Sequence, residues 1–471
     1  MIKQLITKAA SAVVNLLVTL SLGILVPRLI GPENYGQFNY IISTFNFFYQ
    51  LLLLSTSTAY IYFLSSGKYK QEFVNFCYAG YLLFCIALVA IFNIILVCAN
   101  NSELIWTTDI TEIRLAYGFF YSTLFMIIAR LTEFCDSNNL TAKSEKVKLF
   151  FRFMLIMALL ILSTLSTVDV DAYFVIQNIS LFLTLIAISR VLKPNRSNLN
   201  IDIKIMKKVF YDVIVYIKPL LLFSLISSLY AYEGKYLLQK QYGSFEQGIF
   251  NFSLQFSLIP VALITTLMTI YMSTSARNYR DGNISELKST HEYLSYVLFF
   301  VSCLFSFGII SYAEDIIVIA VGDVYLEAVD SLKILMLYSA IQSLGMVNGY
   351  TFHSTERNKQ YGIINTTILL IPVILMPFFK ELDSVMLSMI MLLTYFIRTM
   401  VQIYFNLRYL GTNYIRYYLT NVIILVLIIG YFDLLLYFDL SIYMSILITA
   451  LILIILLSGI FKYRYRFINV S

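Results

Sequence analysis

Two basic residues stand deep inside apolar sequence: Lys218, in VFYDVIVYIKPLLLFSLI, and Arg398, in MLLTYFIRTMVQIYF. A cation at the centre of a membrane helix costs roughly 2.5–3.5 kcal/mol, so its presence there points to function. The chemistry it offers is compensation of an anion that must pass through a medium of low dielectric. Lys218 lies nine residues into an apolar run beginning at 209, about 14 Å along a helix rising 1.5 Å per residue. Its neighbour Pro219 is expected to kink that helix and free a carbonyl. Arg398 lies at similar depth in its own run. The competing readings are a structural pairing for Lys218 and a side chain snorkelling to the interface for Arg398. Arg28 ends the first apolar run, where interfacial anchoring explains it equally well. Arg130 and Glu133 are spaced for a simple ion pair on one helix face. Lys240 and Glu233 read as candidates near the exterior side. We take Lys218, Arg398, Arg28, Arg130, Glu133 and Lys240 as the candidate substrate-binding set.

Other chemistries are poorly represented. The five cysteines (Cys77, Cys85, Cys98, Cys135 and Cys303) fall mostly in apolar stretches without metal-ligand or disulfide spacing. His291 and His353 are far apart and read as ordinary interfacial residues. No catalytic constellation, metal site or cofactor is expected, and neither is a nucleic-acid partner. No carboxylate is expected near the bilayer midplane, so no proton or sodium site is legible.

The elements that must position these residues are transmembrane helices. Of the 471 residues 59% are hydrophobic and 13% charged, against roughly 45–50% and about 25% in soluble domains. About 20 apolar residues cross the hydrocarbon. Runs of that kind predict about fourteen helices, at 9–30, 38–63, 74–99, 113–135, 149–167, 172–192, 209–232, 246–272, 292–312, 331–353, 361–378, 384–407, 417–437 and 441–461. The runs lack the alternation of barrel strands. The first has no small-residue cleavage site before it ends and reads as a retained helix.

Charge sets the expected orientation. Most of the 33 basic residues fall at the termini and in even-numbered loops, whereas the odd-numbered loops carry Glu103, Asp109, Glu112, Asp169, Asp171, Glu314, Asp315, Asp433 and Asp439. Both termini are therefore expected in the cytoplasm. Exterior loops are short, which argues against a membrane enzyme that must hold a glycan acceptor outside.

The turn Gly31-Pro32-Glu33-Asn34-Tyr35-Gly36-Gln37-Phe38-Asn39 recurs at a constant offset of 212 residues as Gly243-Ser244-Phe245-Glu246-Gln247-Gly248-Ile249-Phe250-Asn251. The first glycine of each copy suits a left-handed helix end and the second a close approach. Both helices preceding the turns run outward, so the repeat is parallel. It predicts two six-helix lobes, 1–208 and 209–408, joined through the polar stretch 193–208, with 409–471 holding helices 13 and 14 and a basic tail. Transporters so built place substrate between the lobes.

The segment Pro27-Arg28-Leu29-Ile30-Gly31-Pro32-Glu33-Asn34-Tyr35-Gly36-Gln37-Phe38 resembles the first turn of polysaccharide exporters in the multidrug/oligosaccharidyl-lipid/polysaccharide superfamily. Glu233, Lys235 and the Gly243–Gly248 turn resemble that family's helix 7–8 region. The stretch from Gly349 to Tyr361 resembles its turn after helix 10. The resemblance implies a Wzx-type flippase, with no covalent chemistry, moving undecaprenyl-diphosphate-linked oligosaccharide for O-antigen or a similar surface polysaccharide across the bacterial inner membrane by alternating access. The implied partners are that lipid-linked glycan, membrane lipids, and the polysaccharide polymerase and chain-length machinery. The alternatives are a multidrug cation antiporter of the same superfamily, which should place acidic residues deep in the membrane, a polysaccharide polymerase or ligase, and a non-transporting scaffold.

Overall fold

The computed structural model describes residues 2–438 except 55, 57–58, 61–62, 65–68, 99–104, 107–109, 138–139, 166, 193–202 and 219–220, and beyond these only 444–445 and 448–449. The expected helix 441–461 and the basic tail therefore lie largely outside the described residues, as does most of the polar linker. The described chain is helical without strands, as its continuous apolar runs require. Eight helices are long and apolar enough to cross a membrane, or nine if one bent pair forms a single span.

Fourteen α-helices are described. The first seven are α1 (Ile2–Leu53), α2 (Gln71–Cys98), α3 (Glu112–Ser137), α4 (Thr141–Leu165), α5 (Val170–Val191), α6 (Ile203–Ile217) and α7 (Leu221–Ser257). The rest are α8 (Ile259–Arg280), α9 (Ile284–Ser311), α10 (Ala313–Ala320), α11 (Ala328–Ser354), α12 (Asn358–Leu375), α13 (Ser384–Leu410) and α14 (Tyr414–Tyr437). Two of these are broken by one glycine each. Gly31 interrupts α1 at φ 77° and ψ 167°, and Gly243 interrupts α7 at φ 80° and ψ −167°. The two turns of the repeat thus share one backbone conformation, in the left-handed half of the map that only glycine enters cheaply.

The chain packs as two compact units, residues 1–252 with 362–390, and residues 253–361 with 391–471. In the first, the limb of α1 beyond Gly31 packs on α3 and α5. Phe38 lies 4.6 Å from the Tyr173 ring and 4.8 Å from that of Phe174. Arg114 at the start of α3 makes a two-pronged ion pair with Asp171 at the start of α5, at 3.0 and 3.1 Å, and also donates to Gln37.

In the second unit, α9 and α11 pack through small polar residues. Ser306 and Ser339 are buried with their hydroxyls 3.2 Å apart, as expected where helices meet in hydrocarbon and small side chains allow close approach. His291 is not interfacial. It is fully buried, its Nδ1 2.9 Å from the Thr351 hydroxyl and 3.2 Å from that of Tyr271. Its Nδ1 is met by neighbours that come together only through packing, while its Nε2 is buried with no hydrogen-bond partner among the described residues.

Candidate substrate cavities and the paired glycine turns

Arg398 lies fourteen residues into the 27-residue α13, midway along that helix. It faces a cavity of about 290 Å³ lined from α11 by Gln342, Gly349, Tyr350 and His353, from α12 by Tyr361, and from α13 by Tyr395. Gly345 and Gly349 hollow out the α11 wall. A Cβ on Gly345 would stand 2.8 Å from the Thr399 hydroxyl. The guanidinium donates to the Tyr361 hydroxyl at 3.2 Å and sits 4.9 Å over the Tyr395 ring. Those partners are neutral, and among the described residues no carboxylate lines the cavity. A full positive charge framed by aromatic rings can receive an anion, and the ring faces suit apolar or sugar surfaces.

Lys218 is placed differently. The helix expected over 209–232, with a kink at Pro219, stops at Ile217 and restarts at Leu221, with a bend of 68° between the two pieces. Lys218 sits at this junction and is exposed. Lys218 thus stands at a helix junction rather than nine residues into one continuous helix. The same break relocates two other residues. Glu233 and Lys235 lie twelve and fourteen residues into α7, midway between its start and Gly243, rather than near its exterior end. Lys235 donates to the Ser43 hydroxyl at 3.2 Å. Glu233 holds a buried Oε2 with no hydrogen-bond partner among the described residues. Beside them Tyr232 stacks on Phe47 at 4.3 Å and its hydroxyl lies 3.2 Å from that of Thr44. A carboxylate and an ammonium thus stand midway along the first limb of α7, where the sequence reading placed neither.

Arg28 and Lys240 are equivalent under the 212-residue offset and are both exposed just before their glycine turns. Lys240 Nζ lies 5.8 Å from the Tyr236 ring centre. Arg130 pairs with Glu133 at 2.8 Å and donates to the Tyr78 hydroxyl at 3.4 Å. The structure thus spreads the six predicted residues over several places. Only Arg130 and Glu133 touch each other.

Both turns of the repeat meet, and they meet reciprocally. A Cβ on Gly36 would stand 1.7 Å from the backbone oxygen of Ser244, and one on Gly248 would stand 1.9 Å from that of Pro32. Pro32 and Ser244 are themselves equivalent under the offset. The second glycine of each copy therefore admits the backbone of the other, which is why only glycine fits. The polar run after Lys235 also has a use. Gln241 donates to the Phe379 carbonyl at 3.1 Å and accepts from the Leu382 amide at 2.8 Å.

Sequence reasoning undervalued three charged residues. Arg114 is held by Asp171 as described. Arg357 is clamped between the rings of Phe352 and Tyr409, 4.4 and 3.9 Å away, and donates to Asn406. Burial pushes its guanidinium down to about 10. Lys235 had one signal, its two-residue spacing from Glu233, but its depth depended on where the helix begins.

No protein-family model matches the chain. No curated protein sequence matches it either. Solved structures do. A lipid II flippase MurJ, in an inward closed conformation, superposes with a TM-score of 0.72 at 14% identity, covering 98% of this chain and 99% of its own. An inward-facing multidrug resistance MATE family transporter of the MOP superfamily gives 0.62 at 14% identity, over 86% and 98%. A MOP superfamily transporter from Pyrococcus furiosus, described as having a binding pocket of reverse polarity, gives 0.56 at 15% identity, over 86% and 94%. At these identities the likeness establishes the fold. The chain is an all-helical, multi-pass membrane protein with the fold of MOP superfamily transporters.

Proposed function

We propose that this protein is a flippase that moves an undecaprenyl-diphosphate-linked oligosaccharide, an O-antigen unit or similar surface glycan, across a bacterial inner membrane by alternating access. The observation that carries this reading is the Arg398 cavity. It holds a permanent cation midway along a membrane helix, aromatic walls and no carboxylate, which suits an anionic, sugar-bearing ligand. The fold shared with a lipid II flippase supports the same reading. The two lobes, 1–208 and 209–408, move against each other about the substrate, with 409–471 appended. Both termini face the cytoplasm, which impermeant labelling of cysteines added at residues 3 and 470 tests together.

The deciding experiment is translocation in proteoliposomes loaded with a polyprenyl-diphosphate oligosaccharide, read as glycan newly accessible to an external glycosidase. Wild type should expose glycan, and Arg398→Gln should lower the rate at least about tenfold, a loss of about 1.4 kcal/mol. Exposure unchanged in Arg398→Gln removes the cavity from the mechanism.

Glu233 favours a second reading. A buried carboxylate with an unpartnered oxygen is what a cation antiporter of the same fold would use, and MATE transporters share that fold. Gradient-driven extrusion of a cationic dye, lost in Glu233→Gln and accompanied by no glycan exposure, would establish it.

A further inference from the structure

Helix α6 has no role in either cavity, yet its surface is divided into three sectors. Its buried side, which includes Val209, packs Val213, Tyr216 and Ile217 against α2 and the residues that follow α1, where Tyr60, Phe63 and Tyr78 form a core. Asp212 on this side accepts from the Tyr69 hydroxyl at 2.6 Å. A flank beside it exposes Phe210 and Ile214, at 50% and 44% of their surface. The third sector is basic. At about 100° per residue, Lys204, Lys207, Lys208 and Tyr211 fall on one ridge, which Val215 shares, and all five are exposed; Lys218 follows just past the end of α6 and is exposed too. Asp212 is the only acid between 203 and 218; it stands one turn from Lys208 at the edge of the ridge, where its carboxylate accepts from Tyr69.

A soluble surface helix would not expose an apolar flank, and a spanning helix would not carry a lysine ridge. A helix lying in the membrane surface needs both, with apolar side chains in the acyl layer and basic ones at the headgroups. The bend fits this arrangement. The axis of α6 turns by 68° from α7, so where α7 crosses the bilayer, α6 lies closer to its plane.

We propose that α6 is an in-plane surface helix whose lysine ridge binds the phosphate groups of anionic membrane lipids. Charge complementarity selects the occupant. Four lysines in fifteen residues attract anionic headgroups, and nothing on the ridge discriminates among zwitterionic ones.

The full-length protein in detergent is titrated with phosphatidylglycerol or phosphatidylcholine, and retained lipid is read by native mass spectrometry. Wild type should retain phosphatidylglycerol in preference to phosphatidylcholine. The double variant Lys207→Gln/Lys208→Gln should weaken phosphatidylglycerol retention about twentyfold. The variant Lys207→Arg/Lys208→Arg should restore it. Lys143→Gln/Lys146→Gln, which removes two exposed lysines of α4, should leave it unchanged. Equal retention of the two lipids by wild type overturns the proposal, as does full retention by the ridge variant. Competition by millimolar inorganic phosphate that abolishes retention also overturns it, because the ridge would then be a site for free anions. A matching melting temperature for the ridge variant shows that its loss is not misfolding.

Discussion

The two copies of the glycine turn are alike in backbone and unlike in what precedes them. Gly31 and Gly243 share one conformation, and Gly36 and Gly248 admit each other's backbone. In the limb before the first turn, the positions equivalent to Glu233 and Lys235 are Ser21 and Gly23. The first copy is therefore uncharged where the second holds a carboxylate and an ammonium. The second limb is also broken, at 218–220, where the first runs continuously from Ile2 to the turn. What this teaches is that the duplicated part is the joint. The joint is constrained by backbone contact in both copies and so stays symmetric. The limbs are constrained by what they face, and they diverge.

The largest expected effect tests the joint. Gly36→Ala and Gly248→Ala each drive a methyl group into backbone, and each should destabilise by about 3 kcal/mol, the upper range of overpacking costs. Thermal melting of purified protein checks this, and a clear inequality between the two variants would break the symmetry. Gly31→Ala and Gly243→Ala meet open space, so only their backbone strain counts. They should cost about 1–2 kcal/mol each. Lys235→Gln should leave melting nearly unchanged while slowing transport about tenfold, the equivalent of about 1.4 kcal/mol. Unaltered transport would mean that the charged limb has no part in it. Glu233→Gln should melt no lower than wild type, because it removes a buried carboxylate oxygen that has no partner. A marked fall in its melting temperature would show that the carboxylate is structural. Gly80→Ala, in open space at an ordinary backbone angle, should change stability by less than about 0.5 kcal/mol.

Some of the site was legible before any coordinates. Arg398 was found because its helix begins where the apolar run begins, so counting residues gave its depth. Lys218 was misplaced by the same counting, because the run from 209 to 232 contains a break that hydropathy does not register. His291 gave no local sign of burial. Its partners Tyr271 and Thr351 lie 20 and 60 residues away. Arg114 likewise carries no local sign of its partner, since α5 brings Asp171 to it from 57 residues away.

The sequence by itself determined that this is a polytopic helical membrane protein with a duplicated glycine turn. Those features depend on local requirements. Hydrocarbon demands some 20 apolar residues with every backbone group bonded within the helix, and a left-handed break demands glycine. Tertiary structure alone decided that Lys218 stands at a break and that Glu233 and Lys235 stand midway along a limb of α7, which charges are paired away, and that the two turns close on each other. Those outcomes depend on where one helix stops and on atoms hundreds of residues apart, and no periodicity along the chain records either.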